Sequence, residues 1–302
     1  MRIDLIRKKT MRKIFYSAMV AVTAIFAGCA NDEDALLPND SLKDTPINVD
    51  VLVSGINTRA GYDNTSLPTM FYLSIDQNGT KYDYTNVVMK YDGSKWVAYE
   101  SADENAKKKQ LLWEGSESNV TVKAATFSLS DASTTLSAQT DQSNAEAVKA
   151  SDHLYFSSNA VKPSENGTIS IPLDHIMSKI TVKLTLGTES EASATNPITS
   201  VTAFGASTGA TYSPGAATPW SAESNGSKIS LFPSVAYDTN NRTATYEAIL
   251  VPQTIAANTF GVEIRIGEKT YEWKSANAFT LTGGTNHALE MTVGNASSAN
   301  IN

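Results

Sequence analysis

Apolar residues recur at every second position in many short stretches of this chain, and this period constrains the fold more than any other feature. In residues 180–186, Ile, Val, Leu and Leu alternate with Thr, Lys and Thr. Residues 260–266 repeat the pattern, with Glu263 and Arg265 among the intervening residues. A period of two is that of a β-strand with one buried face, and runs with a helical period are nearly absent. The sequence therefore predicts an all-β fold.

The length of 302 residues exceeds that of one typical β-sandwich and suits two domains, and a hydrophobic content of 41% permits two cores. Short strand candidates with hairpin turns at Asn78-Gly79 and Asp92-Gly93 predict a first sandwich over residues 60–186. Residues 128–150, rich in Ser, Thr, Gln and Asp, predict an exposed loop with a helical turn near 145–148. Residues 187–197 lack apolar periodicity and end in a proline, which is typical of a linker. They open a second sandwich, predicted over residues 187–302.

The first 28 residues resemble a signal peptide rather than part of the fold. Six basic residues precede an apolar run at 14–27 that is too short to span a bilayer as a stable helix. Met1 and Met11 are both acceptable starts. The run ends in Phe26-Ala27-Gly28-Cys29, similar to a bacterial lipoprotein cleavage box, so Cys29 is the predicted lipidation site. The alternative is an ordinary secretory signal with a chance cysteine. Because Cys29 is the only cysteine, no disulfide can form within the chain.

The net charge argues against nucleic acid as a partner. The whole chain carries −7, but the signal peptide holds six Lys or Arg and one Asp, which leaves 18 basic and 30 acidic residues and a net charge of −12. Such a surface repels phosphate backbones and anionic lipids.

Residues 29–59 form a predicted prosegment with one strand and one cleavable loop. The strand is predicted over residues 47–53, with four β-branched residues on one face: Ile47, Val49, Val51 and Val53. Residues 54–59 are rich in turn-forming residues and end at Arg59-Ala60. Only Arg242 and Arg265 are further arginines beyond the signal peptide, so an arginine-directed protease meets few sites. The alternative for Arg59 is a solvated arginine in a loop.

The residues that could carry chemistry predict neither an enzyme nor a metal or cofactor site. His153, His175 and His287 lie far apart and have no cysteine or carboxylate at ligand spacing. No nucleophile elbow or glycine-rich phosphate loop accompanies the serines. Three of the four tryptophans fall in strand candidates, which favours core positions. Trp220 is the last residue of an irregular Pro-Gly-containing loop predicted over residues 213–220, where its ring is expected to be exposed, and it is the candidate adhesive contact.

Five motifs, in this order over nearly the whole chain, resemble the fimbrillin family of pilus subunits from Bacteroides and Porphyromonas relatives. They are FAGC at 26–29 with the acidic residues that follow it, NTRA at 57–60, IPLDHIMSKITV at 171–182, LVPQ at 250–253 and FTLTGGTNH at 279–287. The resemblance implies two tandem transthyretin-like β-sandwich domains and no enzymatic activity. It also implies export to the outer membrane and cell surface as a lipoprotein, with acyl chains such as palmitate on Cys29.

The resemblance further implies a mechanism of assembly. An arginine-directed protease cuts between Arg59 and Ala60, the strand at 47–53 is removed, and a strand from another pilus subunit replaces it by donor-strand exchange. Shaft subunits of the family are expected to donate a C-terminal strand, whereas only nine polar residues follow Val293 here. Either residues 288–293 move, or the subunit accepts a strand without donating one, as at a pilus tip. The alternative function is that of a monomeric surface lipoprotein that binds glycans.

Overall fold

The computed structural model describes residues 41–55, 61–115, 119–188, 195–224 and 226–294, together with the backbone of residues 298–301. Every regular element among these residues is a strand except one short helix, which confirms the predicted all-β fold. The elements of the first part are β1 (Asn48–Ser54), β2 (Met70–Asp76), β3 (Tyr84–Tyr91), β4 (Trp96–Tyr99), β5 (Val120–Ala125), β6 (Thr134–Ser137), α1 (Ala145–Ser151), β7 (Leu154–Val161) and β8 (Thr168–His175). The later elements are β9 (Ser178–Leu186), β10 (Ile198–Ser207), β11 (Gly209–Tyr212), β12 (Trp220–Ala222), β13 (Gly226–Ser230), β14 (Phe232–Asp238), β15 (Thr243–Leu250), β16 (Gln253–Ile255), β17 (Gly261–Ile266), β18 (Lys269–Lys274), β19 (Phe279–Leu281), β20 (Asn286–Val293) and β21 (Ser298–Ile301).

The first sheet has seven strands in the order β1-β8-β7-β5-β2-β3-β4. The β1–β8 pair is parallel and the other pairs are antiparallel. The sheet curls so strongly that its two outermost strands, β1 and β4, contact each other. Its concave face encloses the first core, in which Phe71, Leu73 and Trp113 are fully buried.

The second core lies between a four-stranded sheet, β13-β10-β17-β18, and a five-stranded sheet, β14-β15-β9-β20-β21. In the five-stranded sheet β9 and β20 run parallel, while the other pairs are antiparallel. Alternation explains the packing: Val262 and Ile264 of β17 point inward, while Arg265 is exposed. The period of two thus determines which side chains enter the core.

One strand packs with a different partner from the one that the sequence analysis assigned. Residues up to 186 were expected in the first sandwich, but β9 pairs with β15 and β20, and its buried residues belong to the second core. The turn at Ile176–Met177 places β9 in a different sheet from β8. Alternation cannot predict this, because it shows that a strand has a buried face but not which core that face joins. The described residues from 41 onward belong to one compact unit, and the division into tandem domains stays a prediction.

Residues 128–150 were expected as an exposed loop, and they also contain β6 and α1 and connect the two cores. β6 pairs with β11, which also pairs with β12, so this three-stranded sheet joins elements from both parts of the chain. Gln142 is fully buried: its Nε2 donates to the carbonyl oxygen of Ile249 (2.7 Å), and its Oε1 accepts from the Ile249 amide (2.9 Å). The predicted helical turn is α1, capped by Asn144, whose side chain accepts from the amide of Ala147. Most residues of this segment are exposed or half-buried, as expected, but Gln142 is buried because its polar side chain satisfies buried backbone groups.

Candidate functional site

β1 is one of the two outermost strands of the seven-stranded sheet, and it begins and ends one residue later than the predicted strand. Leu52, on its outer face, is 50% exposed, and Ile47, just before it, packs half-buried against the first core. The register places three buried valines beside three fully buried residues of β8: Val49 beside Ile169, Val51 beside Ile171 and Val53 beside Leu173. β1 therefore contributes a full apolar face to the core while lying at a sheet margin.

Residues 42–47, here called the leading segment, bind a different part of the molecule from β1. The amide of Asp44 donates to the carbonyl oxygen of Trp113, and the amide of Trp113 donates to that of Thr45, both at 2.9 Å. The amide of Ile47 donates to the carbonyl oxygen of Leu111, also at 2.9 Å. Leu42 is 4% exposed and belongs to the first core. The sequence analysis missed this segment, because one leucine among polar residues gives no period.

Residues 107–113 connect the leading segment to the far margin of the curled sheet. The amide of Lys109 donates to the carbonyl oxygen of Ala98 in β4 (2.9 Å), and the amide of Glu100, just after β4, donates to that of Lys107 (3.0 Å). The leading segment and β1 together thus lie between the two margins of the sheet, β8 on one side and the chain beside β4 on the other. They close the curl, and closure leaves few backbone groups of either margin unpaired.

Gly167 lies beside the junction between the leading segment and β1, where the prosegment passes from residues 111–113 to β8. Its carbonyl oxygen accepts from the amide of Asn48 (3.1 Å) and from Trp113 Nε1 (2.8 Å). Its φ is +74°, and a Cβ atom here would lie 3.0 Å from Trp113 Nε1 and 3.1 Å from the Pro46 carbonyl oxygen. Glycine is required both by this left-handed backbone and by the close approach of the leading segment.

Side chains hold the chain on both sides of residues 56–60. Asn64 Oδ1 accepts from the amide of Val53 at the end of β1 (2.9 Å). On the other side, Asp152 Oδ2 accepts from the amide of Tyr62 (3.0 Å), and Asp152 Oδ1 lies 2.7 Å from His175 Nδ1. Asp152 and His175 are buried, 2% and 6% exposed. The sequence analysis did not foresee this pair, since 23 residues separate its members.

The predicted lipidation site Cys29 and the predicted processing residues Arg59 and Ala60 lie outside the described residues. Within the described ranges, no group of three or more His, Cys, Asp or Glu side chains is placed to hold a metal ion. In the same part of the chain, no helix combines the length and apolar character needed to cross a membrane.

Trp220 begins β12 and is half-buried, in contrast to the irregular loop expected for it. Its ring centroid lies 4.6 Å from that of Tyr212, with 40° between the ring planes. Burial raises the pKa of Tyr212 to about 12, so its hydroxyl stays neutral at physiological pH. This packing fixes the indole while part of it stays exposed.

The indole lines an open groove of about 690 Å³ between elements of both parts of the chain. The lining residues are His175, Ile176, Tyr212, Thr218, Pro219, Trp220, Ala222, Pro252, Gln253, Thr254, Thr280, Leu281, Thr282 and Gly283. None of them is Lys, Arg, Asp or Glu, and four are threonines. The groove thus combines an aromatic face with neutral hydroxyl groups, and its volume lies in the range of small-ligand sites.

A sequence family described as fimbrillin-like matches residues 44–302. A comparison with curated proteins gave no match. Among solved structures, a candidate cell adhesion protein from Bacteroides ovatus aligns with a TM-score of 0.63 and 15% identity over 86% of this chain and 96% of that one. A candidate cell adhesion protein from Bacteroides uniformis aligns with a TM-score of 0.54 and 14% identity over 87% of this chain and 99% of that one. At these identities the two structures show a shared fold.

Proposed function

The chain belongs to the fimbrillin-like family, and from that premise we propose that it is a structural and adhesive subunit of a surface pilus that assembles by strand exchange. Membership makes it a pilus or adhesion subunit of the cell surface, and it points to a structural rather than an enzymatic protein. The finer proposal is that Cys29 carries the lipid that anchors the chain in the outer membrane during export. An arginine-directed protease then cleaves between Arg59 and Ala60 and releases residues 29–59.

One observation carries the proposal: a segment that helps to fill the first core lies at a sheet margin and ends shortly before Arg59 in the sequence. An internal strand could not leave without breaking ladders on both sides, whereas β1 has one strand partner, β8. A cut after Arg59 would leave β1 and the leading segment held by noncovalent contacts alone. They could then be replaced by an equivalent strand from another subunit.

Loss of β1 and the leading segment would destabilise the first core and so favour binding of a replacement strand. Leu42, Val49, Val51 and Val53 are each no more than 8% exposed. Burial of such a side chain stabilises a fold by roughly 1.5–3 kcal/mol. The freed margins of β8 and residues 111–113 would also present unpaired backbone groups beside an apolar face. An incoming strand that restores both contributions binds with a large driving force.

The test of this mechanism is the variant Arg59→Ala, with Arg265→Ala as its matched control, since Arg265 is exposed but lies within β17. Mass spectrometry of the chain on intact cells should find Ala60 as the N-terminus in the wild type and in the control. Arg59→Ala should retain the prosegment and give no filaments in electron micrographs. Filaments formed by Arg59→Ala, or by wild-type chains that begin at Cys29, would refute processing after Arg59.

The lipid anchor has a separate test. Cys29→Ala should abolish incorporation of labelled palmitate and should leave the chain unattached to outer-membrane fractions. Equal labelling of the variant and the wild type would exclude Cys29 as the lipidation site.

The groove beside Trp220 favours a contact role, either in an adhesive subunit or in the alternative, a monomeric surface lipoprotein that binds glycans. A groove lined by no Lys, Arg, Asp or Glu, with an aromatic face and threonine hydroxyls, suits a neutral sugar, whose apolar face stacks on the ring. Trp220→Ala should reduce binding to a neutral glycan array, while Tyr91→Ala, which removes a 48% exposed aromatic ring outside the groove, should not. Equal binding by both variants would remove Trp220 from the contact surface.

A further inference from the structure

Given the strand exchange proposed above, on which this inference rests, we propose that the incoming strand is recognised by a two-part surface. One part is the margin of β8, and the other is formed by residues 111–113 with the pocket for Leu42. The partner is an extended segment of another subunit, at least as long as residues 42–54, with apolar residues at defined places in both of its parts.

The β8 margin determines the second half of the partner. Three buried positions lie beside it at every second residue, now filled by Val49, Val51 and Val53. Because alternate residues of a strand point to the same face, any replacement needs three apolar residues at i, i+2 and i+4. Many strands meet this condition, so the β8 margin alone discriminates weakly.

Residues 111–113 determine the first half of the partner. They offer one amide and two carbonyl groups in an antiparallel arrangement, which Asp44, Thr45 and Ile47 now satisfy. The side chain of Leu42 fills the adjoining part of the core. A strand that began at Asn48 would leave these three backbone groups and this part of the core without partners, which is costly in a buried site.

Asp44 adds a conformational and a polar condition. Its φ is +60°, a backbone region that Asp, Asn and Gly enter more readily than other residues. Its carboxylate accepts a hydrogen bond from the hydroxyl of Tyr82, which is itself 6% exposed. A partner residue at this place therefore needs both a short side chain with an acceptor oxygen and tolerance of a positive φ, which Asp and Asn provide together.

Gly167 fixes the distance between the two parts. Its carbonyl oxygen accepts from the amide of Asn48, and its lack of a side chain leaves room for the Pro46 carbonyl. The partner strand must therefore pass from one part of the surface to the other at the positions of residues 46–48. The partner then needs Asp or Asn two residues after its first apolar residue, and further apolar residues seven, nine and eleven places after it. This spacing is a longer and more selective signal than three alternating apolar residues.

The experiment uses the full chain cut after Arg59 by a protease and measures displacement of its own prosegment by labelled synthetic peptides. The long peptide spans residues 41–54 and the short one residues 48–54. The short peptide should bind at least about tenfold more weakly, because 1.4 kcal/mol corresponds to a factor of ten and a buried leucine exceeds that. In the long peptide, Leu42→Ser should weaken binding by a similar factor, whereas Lys43→Ser, at an exposed position, should leave it unchanged.

Three outcomes separate this inference from the function on which it rests. Equal affinities of the long and short peptides, or of the Leu42→Ser and Lys43→Ser peptides, overturn the two-part surface and leave strand exchange intact. Failure of every peptide to displace the prosegment from the cut chain overturns strand exchange and the inference with it. Weakening by Leu42→Ser alone supports both.

Discussion

At the residue scale, Gly167 and Gly79 distinguish the cost of a left-handed backbone from the cost of a steric clash. Its φ is +74° and a Cβ atom would meet Trp113 and Pro46, whereas Gly79 has a φ of +76° with nothing within 4 Å. Gly79→Ala should therefore lose about 1–2 kcal/mol of unfolding free energy, the cost of the left-handed backbone alone. Gly167→Ala should lose about 1 kcal/mol more, because the neighbouring backbone must move. Urea unfolding measures both, and equal losses would contradict the close approach of the leading segment.

His153 makes stability depend on pH in the acid range. Burial lowers the pKa of His153 below 6.5, although the Ser137 carbonyl and the charge of Asp152 oppose this shift. The folded state then binds its proton less readily than the unfolded state. The stabilisation is therefore present above pH 6.5 and is lost as the pH falls through the folded-state pKa.

The variant His153→Gln removes this titration and keeps a side-chain donor for the Ser137 carbonyl. Melting temperatures measured from pH 8 to pH 4 should fall more steeply for the wild type than for the variant. Parallel curves would show that His153 does not contribute to the acid loss.

At the scale of elements, the sequence was informative where a pattern is local. The alternating stretches 47–53, 180–186 and 260–266 correspond to strands β1, β9 and β17. Their first and last residues differ from those of the strands by at most two positions. The same alternation did not reveal that β9 joins the second core, because pairing partners lie far away in the chain. The candidate site divides in the same way: the valines of β1 were predicted, but the isolated Leu42 and the distant Asp152–His175 pair left no local signal.

Gln142 tests whether residues 128–150 stabilise the molecule. Its amide group satisfies both the N–H and the C=O of Ile249 at full burial. Gln142→Ala leaves these groups without partners, so the unfolding free energy should drop by about 2–4 kcal/mol. Gln139→Ala, at an exposed position three residues earlier, should change it by less than about 0.5 kcal/mol. Similar values for the two variants in chemical denaturation would contradict the structural role of this segment.

At the scale of the whole molecule, the two cores differ in how they depend on the prosegment. The first core contains Leu42 and three valines of β1, whereas the second core contains no residue from 42–54. The proposed loss of the prosegment would therefore open one core and leave the other intact. The intact core would then keep the subunit folded until a strand from another subunit completed the open one.

This difference predicts an uneven loss of protection in hydrogen exchange. When the chain is cut after Arg59 and the prosegment is removed, amides of β8 and the amide of Trp113 should exchange about tenfold faster or more, because they lose their partners on one side. Amides of β9, β17 and β20 should keep their protection, since every buried residue of their core remains. The cut chain with its prosegment still bound is the control, and it should resemble the intact chain. If β9 and β20 lost protection to the same extent as β8, the two cores would unfold as one cooperative unit. A subunit without its prosegment would then not stay folded before it binds its partner.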